Sequence, residues 1–157
     1  MYIKQANSES EMLIARTLFT EYAESLGFSL CFQDFDKELA DLPGKYSPPS
    51  GRLLLAFIDG QPVGCIALHR LDNKICEMKR LYVRPDFRGH KLGRILIDAV
   101  IAAAREIGYI HMRLDTVSGV MDSAIAIYRK YGFKEIPPYT VNPQPGVIYM
   151  ELDISRY

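Results

Sequence analysis

The chain has 157 residues, 48% of them apolar and 24% charged, and its basic and acidic side chains cancel to a formal net charge of zero. Such a length suits a single domain spanning 1–157 with a core of its own, and balanced charge excludes a global field that would draw the protein to nucleic acid or to an anionic membrane. Cys31, Cys65 and Cys76, like His69, His90 and His111, are scattered without metal-ligand spacing, so no metal is expected and the thiols read as reduced, in a cytoplasmic protein. Met1-Tyr2-Ile3-Lys4 lacks the apolar stretch of a secretory leader, and no apolar run reaches the ~20 residues that span a bilayer.

Tyr2 to Gln5 reads as a short strand. Asn7 or Ser8 can cap the helix that follows, with Glu9 and Glu11 in its first turn, where acidic side chains complement the helix dipole. Met12, Leu13, Ala15, Phe19, Tyr22, Ala23 and Leu26 form its apolar stripe, and Gly27 is the expected stop. Phe35 to Leu42 predicts a second, shorter helix ended by Pro43-Gly44, and residues 45–51 a loop. Leu53 to Ile58 and Pro62 to Leu68 are strands joined by an Asp59-Gly60 hairpin turn, and Ile75 to Val83 is the next strand. Leu92, Ile95, Leu96, Ala99, Val100, Ala103 and Ile107 recur at helical spacing, which predicts a long helix from Lys91 to Ile107 capped by Gly108. Ile110 to Asp115 alternates as a strand, Met121 to Tyr131 is helical and ends at Gly132, and Phe133 to Ile136 and Val147 to Leu152 are the last strands. The order predicts an α/β fold, with a mixed, mostly antiparallel sheet of about seven strands flanked by about four helices.

The most informative stretch is Arg88-Gly89-His90-Lys91-Leu92-Gly93, between the strand ending at Val83 and the long helix. A glycine-bearing turn that opens a helix presents unpaired backbone N–H groups at a positive dipole end, which suits an anion, pyrophosphate best of all. Arg88 and Lys91 add side-chain charge there, so a phosphorylated cofactor is expected on this turn.

Together with the element order, these residues resemble the GNAT N-acetyltransferases over almost the whole chain, most strongly from Glu77 to Phe133. That family's cofactor signature is Gln or Arg, two residues, Gly, one residue, then Gly or Ala. Arg88 and Gly93 match its ends, and Lys91 stands where the central glycine is usual. A second signature, a helix end of the form Ala-x-x-apolar-Tyr-x-x-x-Gly-Phe, is present as Ala124 to Phe133, with Met121 where an asparagine often precedes it. The resemblance implies acetyl-CoA as cosubstrate, bound in a gap where the parallel strands Met78 to Val83 and Ile110 to Asp115 splay apart. Unpaired backbone groups near Leu81, Tyr82 and Val83 would then hold the pantetheine arm like an added strand. Arg88, Gly89, His90, Lys91, Leu92, Gly93 and Arg94 would hold the pyrophosphate, with Ala124 and Tyr128 also against the cofactor. A helical backbone at Lys91 would make its side chain cost-free.

Acetyl transfer to an amine needs a proton removed from the nucleophile and a donor for the leaving thiolate. The resemblance puts Tyr128 near the thioester sulfur as that donor; its alternative is a tyrosine that caps the core at a helix end. Glu77 is the expected base, acting through a water, since strand alternation puts Glu77, Lys79 and Leu81 on one face opposite Met78 and Arg80. The alternative is a surface glutamate paired with Lys79 or Arg70. Asp115 is the weaker base candidate and reads more naturally as a cap or turn residue.

The implied activity is transfer of acetyl to a primary amine, in a small molecule or a peptide, by direct attack in a ternary complex. A module that binds an acyl-CoA without turnover is the alternative. The later members of the set Phe19, Tyr22, Phe28, Phe32 and Phe35, together with Tyr46 and Tyr139, are candidates to line an acceptor pocket. Glu21, Glu24, Asp34, Asp36, Glu38 and Asp41 hint at an acidic groove suited to cations. An exposed edge strand near the C-terminus could pair with a second copy as a homodimer.

Overall fold

The computed structural model describes residues 1–30 and 34–157. Cys31 and the candidate pocket residue Phe32 lie outside them. The strands are β1 (Tyr2–Gln5), β2 (Arg52–Ile58), β3 (Gln61–Arg70), β4 (Ile75–Val83), β5 (His111–Val117), β6 (Lys134–Ile136) and β7 (Val147–Asp153). The helices are α1 (Glu9–Ser25), α2 (Phe35–Ala40), α3 (Leu92–Ile107) and α4 (Asp122–Tyr131). The strands form one seven-stranded sheet in the order β1-β2-β3-β4-β5-β7-β6, so β6 is an edge strand near the C-terminus, as expected.

Local chemistry sets the element ends. Ser8 caps α1: its hydroxyl accepts from the Glu11 amide at 3.2 Å while the Glu11 carboxylate accepts from the Ser8 amide at 3.1 Å. Asp59 and Gly60 take φ of 50° and 79°, the doubly positive turn that matches the twist of a two-residue hairpin. α2 stops at Ala40, short of the expected Leu42.

Apolar side chains divide between the two faces of the sheet. On the α3–α4 face the core consists of Ile66, Cys76, Met78, Leu96, Met112, Leu114 and Tyr128, among others. On the α1–α2 face it consists of Leu18, Phe19, Phe35, Tyr46, Leu53, Cys65 and Tyr82, among others. Neither Cys65 nor Cys76 is exposed, and burial raises both thiols well above their ordinary range, consistent with small apolar core residues.

The alternation expected along β4 is broken by a bulge. Cys65 pairs with Tyr82 and Ala67 with Lys79, so Arg80 and Leu81 together oppose Ile66. Arg80 takes a left-handed φ of 63°. Leu81 therefore packs with Met78 toward α3, and Arg80 joins Glu77 and Lys79 on the α1–α2 side. Bulges commonly re-aim side chains at functional sites. This one puts a charged residue beside the gap in the sheet.

Candidate active site

β4 and β5 are the parallel pair, and they are hydrogen-bonded only from Ile75–Glu77 to His111–Arg113. Beyond Glu77 and Arg113 the strands separate. β4 keeps its pairing to β3, β5 keeps its pairing to β7, and among the described residues the facing edges are left without strand partners. A cleft of about 710 Å³ opens there, in the size range of cofactor sites. Leu81, Tyr82, Val83, Leu114, Thr116 and Val117 form its strand walls, with Ala124, Ile127 and Tyr128 of α4 alongside.

Arg88, Gly89, Lys91, Leu92, Gly93 and Arg94 line the mouth of the cleft, whereas His90 is exposed and outside the lining. Among the described residues, the amides of Gly89, His90 and Lys91 have no backbone acceptor, and the first amides of α3 lack one by helix geometry. These donors and the flanking cations suit a pyrophosphate. Lys91 departs from expectation: it precedes the helix with φ 60° and ψ 21°, left-handed rather than helical, so its side chain carries a conformational cost. The Val83 carbonyl, expected to be free for a pantetheine arm, accepts instead from Arg88 Nε at 3.1 Å.

Tyr128 is buried, its ring 5.6 Å from that of Phe133, and its hydroxyl makes no hydrogen bond to the protein among the described residues. Burial raises its pKa well above the ordinary tyrosine value, so the hydroxyl remains a donor at any physiological pH. Met121 lines the cleft and accepts from the Thr116 hydroxyl through Sδ at 3.2 Å, so a thioether occupies the place where asparagine is usual.

Glu77 is neither a surface glutamate nor a lining residue of this cleft. It is 5% exposed, its Oε1 lies 2.7 Å from His69 Nε2, and its Oε2 accepts from the Tyr139 hydroxyl at 2.5 Å. Burial alone would raise its pKa, but the His69 bond, the Lys79 charge and the Tyr139 bond outweigh it and hold the carboxyl at about 2. A carboxylate so firmly ionised, with both oxygens engaged, is a poor proton acceptor. Asp115 does line the cleft, mid-strand rather than at a cap, and its Oδ2 accepts from Asn142 Nδ2 at 3.1 Å.

Several other expectations change. Tyr46 is fully buried, and Tyr139 is committed to Glu77 with Arg113 stacked 5.2 Å from its ring centre. Tyr22 and Phe28 do line the cleft, while Phe19 and Phe35 are core. The acidic groove is partly neutralised: Arg80 binds Glu38 through Nε and Nη2 at 2.9 and 3.0 Å, and Arg84 binds Glu21 at 3.0 and 2.8 Å. Sequence reasoning missed Lys79 and Arg80 as lining residues, because the signal that would have aimed Arg80, the bulge, has no local sequence mark.

The profile of the Acetyltransferase (GNAT) family matches residues 15–133. An uncharacterized N-acetyltransferase of Schizosaccharomyces pombe is 43% identical over 143 residues, which cover 90% of this chain and 87% of that protein. An acetyltransferase of Streptococcus agalactiae has the same fold, with a TM-score of 0.80 at 23% identity over 97% of both chains. A GNAT family acetyltransferase of Elizabethkingia anophelis with acetyl-CoA bound superposes with a TM-score of 0.59 at 21% identity, over 77% of this chain and 82% of the other. A splayed parallel pair with a donor-rich turn at its mouth is thus found in a chain that belongs to the GNAT acetyltransferase family, and the protein is an acyltransferase.

Proposed function

We propose that the protein transfers acetyl from acetyl-CoA to a primary amine by direct attack within a ternary complex. The observation that carries this reading is the gap between β4 and β5, lined at one end by the Arg88–Arg94 turn and alongside by Tyr128. The amides of Gly89 to Arg94, with Arg88 and Lys91, would hold the pyrophosphate, and the free edge of β4 would take the pantetheine arm as an added strand. His90, exposed beyond the cleft, is left with at most an outer phosphate contact. Acetyl-CoA supplies the thioester: the amine nitrogen bonds to its carbonyl carbon, the C–S bond breaks, and the sulfur leaves as thiolate.

Tyr128 meets that thiolate. A thiol is more acidic than a tyrosine even in water, at about 8.5 against about 10, and burial widens the difference. Tyr128 therefore stabilises the leaving sulfur by donating a hydrogen bond, not by giving up its proton. At the acceptor end, Asp115 takes the place expected of Glu77 beside the amine. Glu77 acts as a positioning group that holds Tyr139 and Lys79.

Calorimetric titration with acetyl-CoA and with CoA tests the reading. Micromolar binding is expected, weakened in an Arg88→Ala, Lys91→Ala variant, together with CoA release when amines are added. Absence of acetyl-CoA binding to the wild-type protein would overturn it.

A further inference from the structure

The acceptor end of the cleft contains a half-buried cation that, among the described residues, makes an ion pair but no hydrogen bond. The Lys79 side chain is only 9% exposed yet lines the cleft, and its ammonium makes no hydrogen bond to the protein among the described residues. Its near anion, Glu77, lies 3.8 Å away, beyond hydrogen-bond reach, and the oxygens of that carboxylate are already taken by His69 and Tyr139. The Lys79 ammonium reaches the solvent of the cleft, so its unmade hydrogen bonds are open to an acceptor that arrives from outside.

The neighbouring charges define what that acceptor is. Arg80, also lining the cleft and 2% exposed at its side chain, is neutralised by its two-point contact with Glu38. Among the described residues of this wall, Lys79 is thus the cation with hydrogen-bond donors still to offer a ligand. A single ammonium flanked by Glu77 suits a monoanion better than a phosphate dianion. Across the gap, Asp115 lines the same cleft, with its Oδ2 held by Asn142. One wall offers a positive group and the other a negative one, the complement of a zwitterion. A polyamine would meet the Lys79 ammonium as a like charge.

We propose that the acceptor is a small amine that also carries a carboxylate, an amino acid or an amino-acid-like molecule, with its carboxylate on Lys79 and its amine beside Asp115. This deepens the acetyl-transfer reading and rests on it. The Lys79 ammonium donates to the carboxylate, which fixes the amine near the thioester, and the amine loses its proton toward Asp115 through the solvent of the cleft.

The test is a CoA-release assay on the wild-type protein with the proteinogenic amino acids, β-alanine and γ-aminobutyrate, each compared with its carboxamide, and with putrescine and spermidine. Acetyl-CoA titration of the same preparation is run in parallel. The expected result is that the better substrates lose about tenfold to a hundredfold in kcat/KM on conversion to the carboxamide. Lys79→Met should erase that preference, mainly through KM, while acetyl-CoA binding stays unchanged. Equal use of carboxylate and carboxamide forms, preference for a polyamine, no turnover of any carboxylate-bearing amine, or a preference that survives Lys79→Met would each overturn the proposal. With acetyl-CoA still binding, such a result would leave the cofactor reading intact. Loss of acetyl-CoA binding in the wild-type protein would remove both. The wild-type comparison decides the matter even if Lys79→Met folds poorly.

Discussion

His69 Nε2 lies 2.7 Å from Glu77 Oε1, and the hydroxyl of Tyr139 closes on Glu77 Oε2 at 2.5 Å from the other side. His69 Nδ1 in turn lies 3.0 Å from the Arg70 carbonyl oxygen, so both ring nitrogens face acceptors. This chain of bonds crosses from β3 to β4 and on to the loop ahead of β7, directly below the point where β4 and β5 part. It anchors the loop that carries Asn142, the partner of Asp115.

Glu77 therefore contributes pH-dependent stability. Its carboxyl falls from an ordinary 4.5 to about 2 in the folded protein, against the opposing effect of burial. A folded-state value below the unfolded one means that the contribution is complete above about pH 4.5 and is lost as pH falls toward 2. Glu77→Gln should lower stability at neutral pH by about 2 kcal/mol and flatten the decline between those values. Urea unfolding across that pH range checks it. An unchanged acid limb in the variant would show that other carboxylates set it.

Lys91 sets local stability against ligand charge. A non-glycine residue at φ 60° costs about 1 kcal/mol relative to glycine. Lys91→Gly should raise stability by that amount and weaken acetyl-CoA binding several-fold through loss of the ammonium. Thermal unfolding and calorimetry on the same variant read both effects. If stability fell, the left-handed assignment at this residue would be wrong.

Element ends were legible from sequence because their signals are chemical and local. Gly108 and Gly132 end α3 and α4 at φ of 112° and 103°, a conformation that disfavours side chains, and Ser8 with Glu11 marks the start of α1. β4 runs from Ile75 to Val83 as read, and the turn at Arg88 to Gly93 opens α3 at the cleft. Facing was less legible. Alternation is a count, and a bulge adds one residue to it. Nothing in Lys79-Arg80-Leu81 marks the bulge, because an arginine rather than a glycine adopts the positive φ. The partners of Glu77 were hidden by separation: Tyr139 lies 62 residues further along the chain. His69 is only 8 residues away, but it meets Glu77 through the β3–β4 register, which sequence spacing does not fix.

Gly64 shows how closely β3 supports the cleft wall. A Cβ at this residue would lie 2.7 Å from the Tyr82 carbonyl oxygen and 3.2 Å from Leu96 Cδ1. The nearer atom is backbone and cannot swing aside. Gly64→Ala should destabilise the protein by about 2 kcal/mol through overpacking and should weaken acetyl-CoA binding by shifting β4 at Tyr82. A variant with wild-type melting and wild-type affinity would contradict this packing.

Tyr128 separates binding from chemistry. Among the described residues its hydroxyl has no protein partner to lose, so Tyr128→Phe leaves the packing against Phe133 intact and should melt close to the wild-type protein. Acetyl-CoA affinity should be unchanged, while kcat falls by about a hundredfold because the leaving thiolate loses its donor. Burial raises the hydroxyl's pKa, so the wild-type enzyme should show no alkaline decline in kcat from Tyr128 ionisation below about pH 10. A stopped-flow measurement of the acetyl-transfer step over pH in both proteins distinguishes the roles. Equal rates would reduce Tyr128 to a core residue at the end of α4.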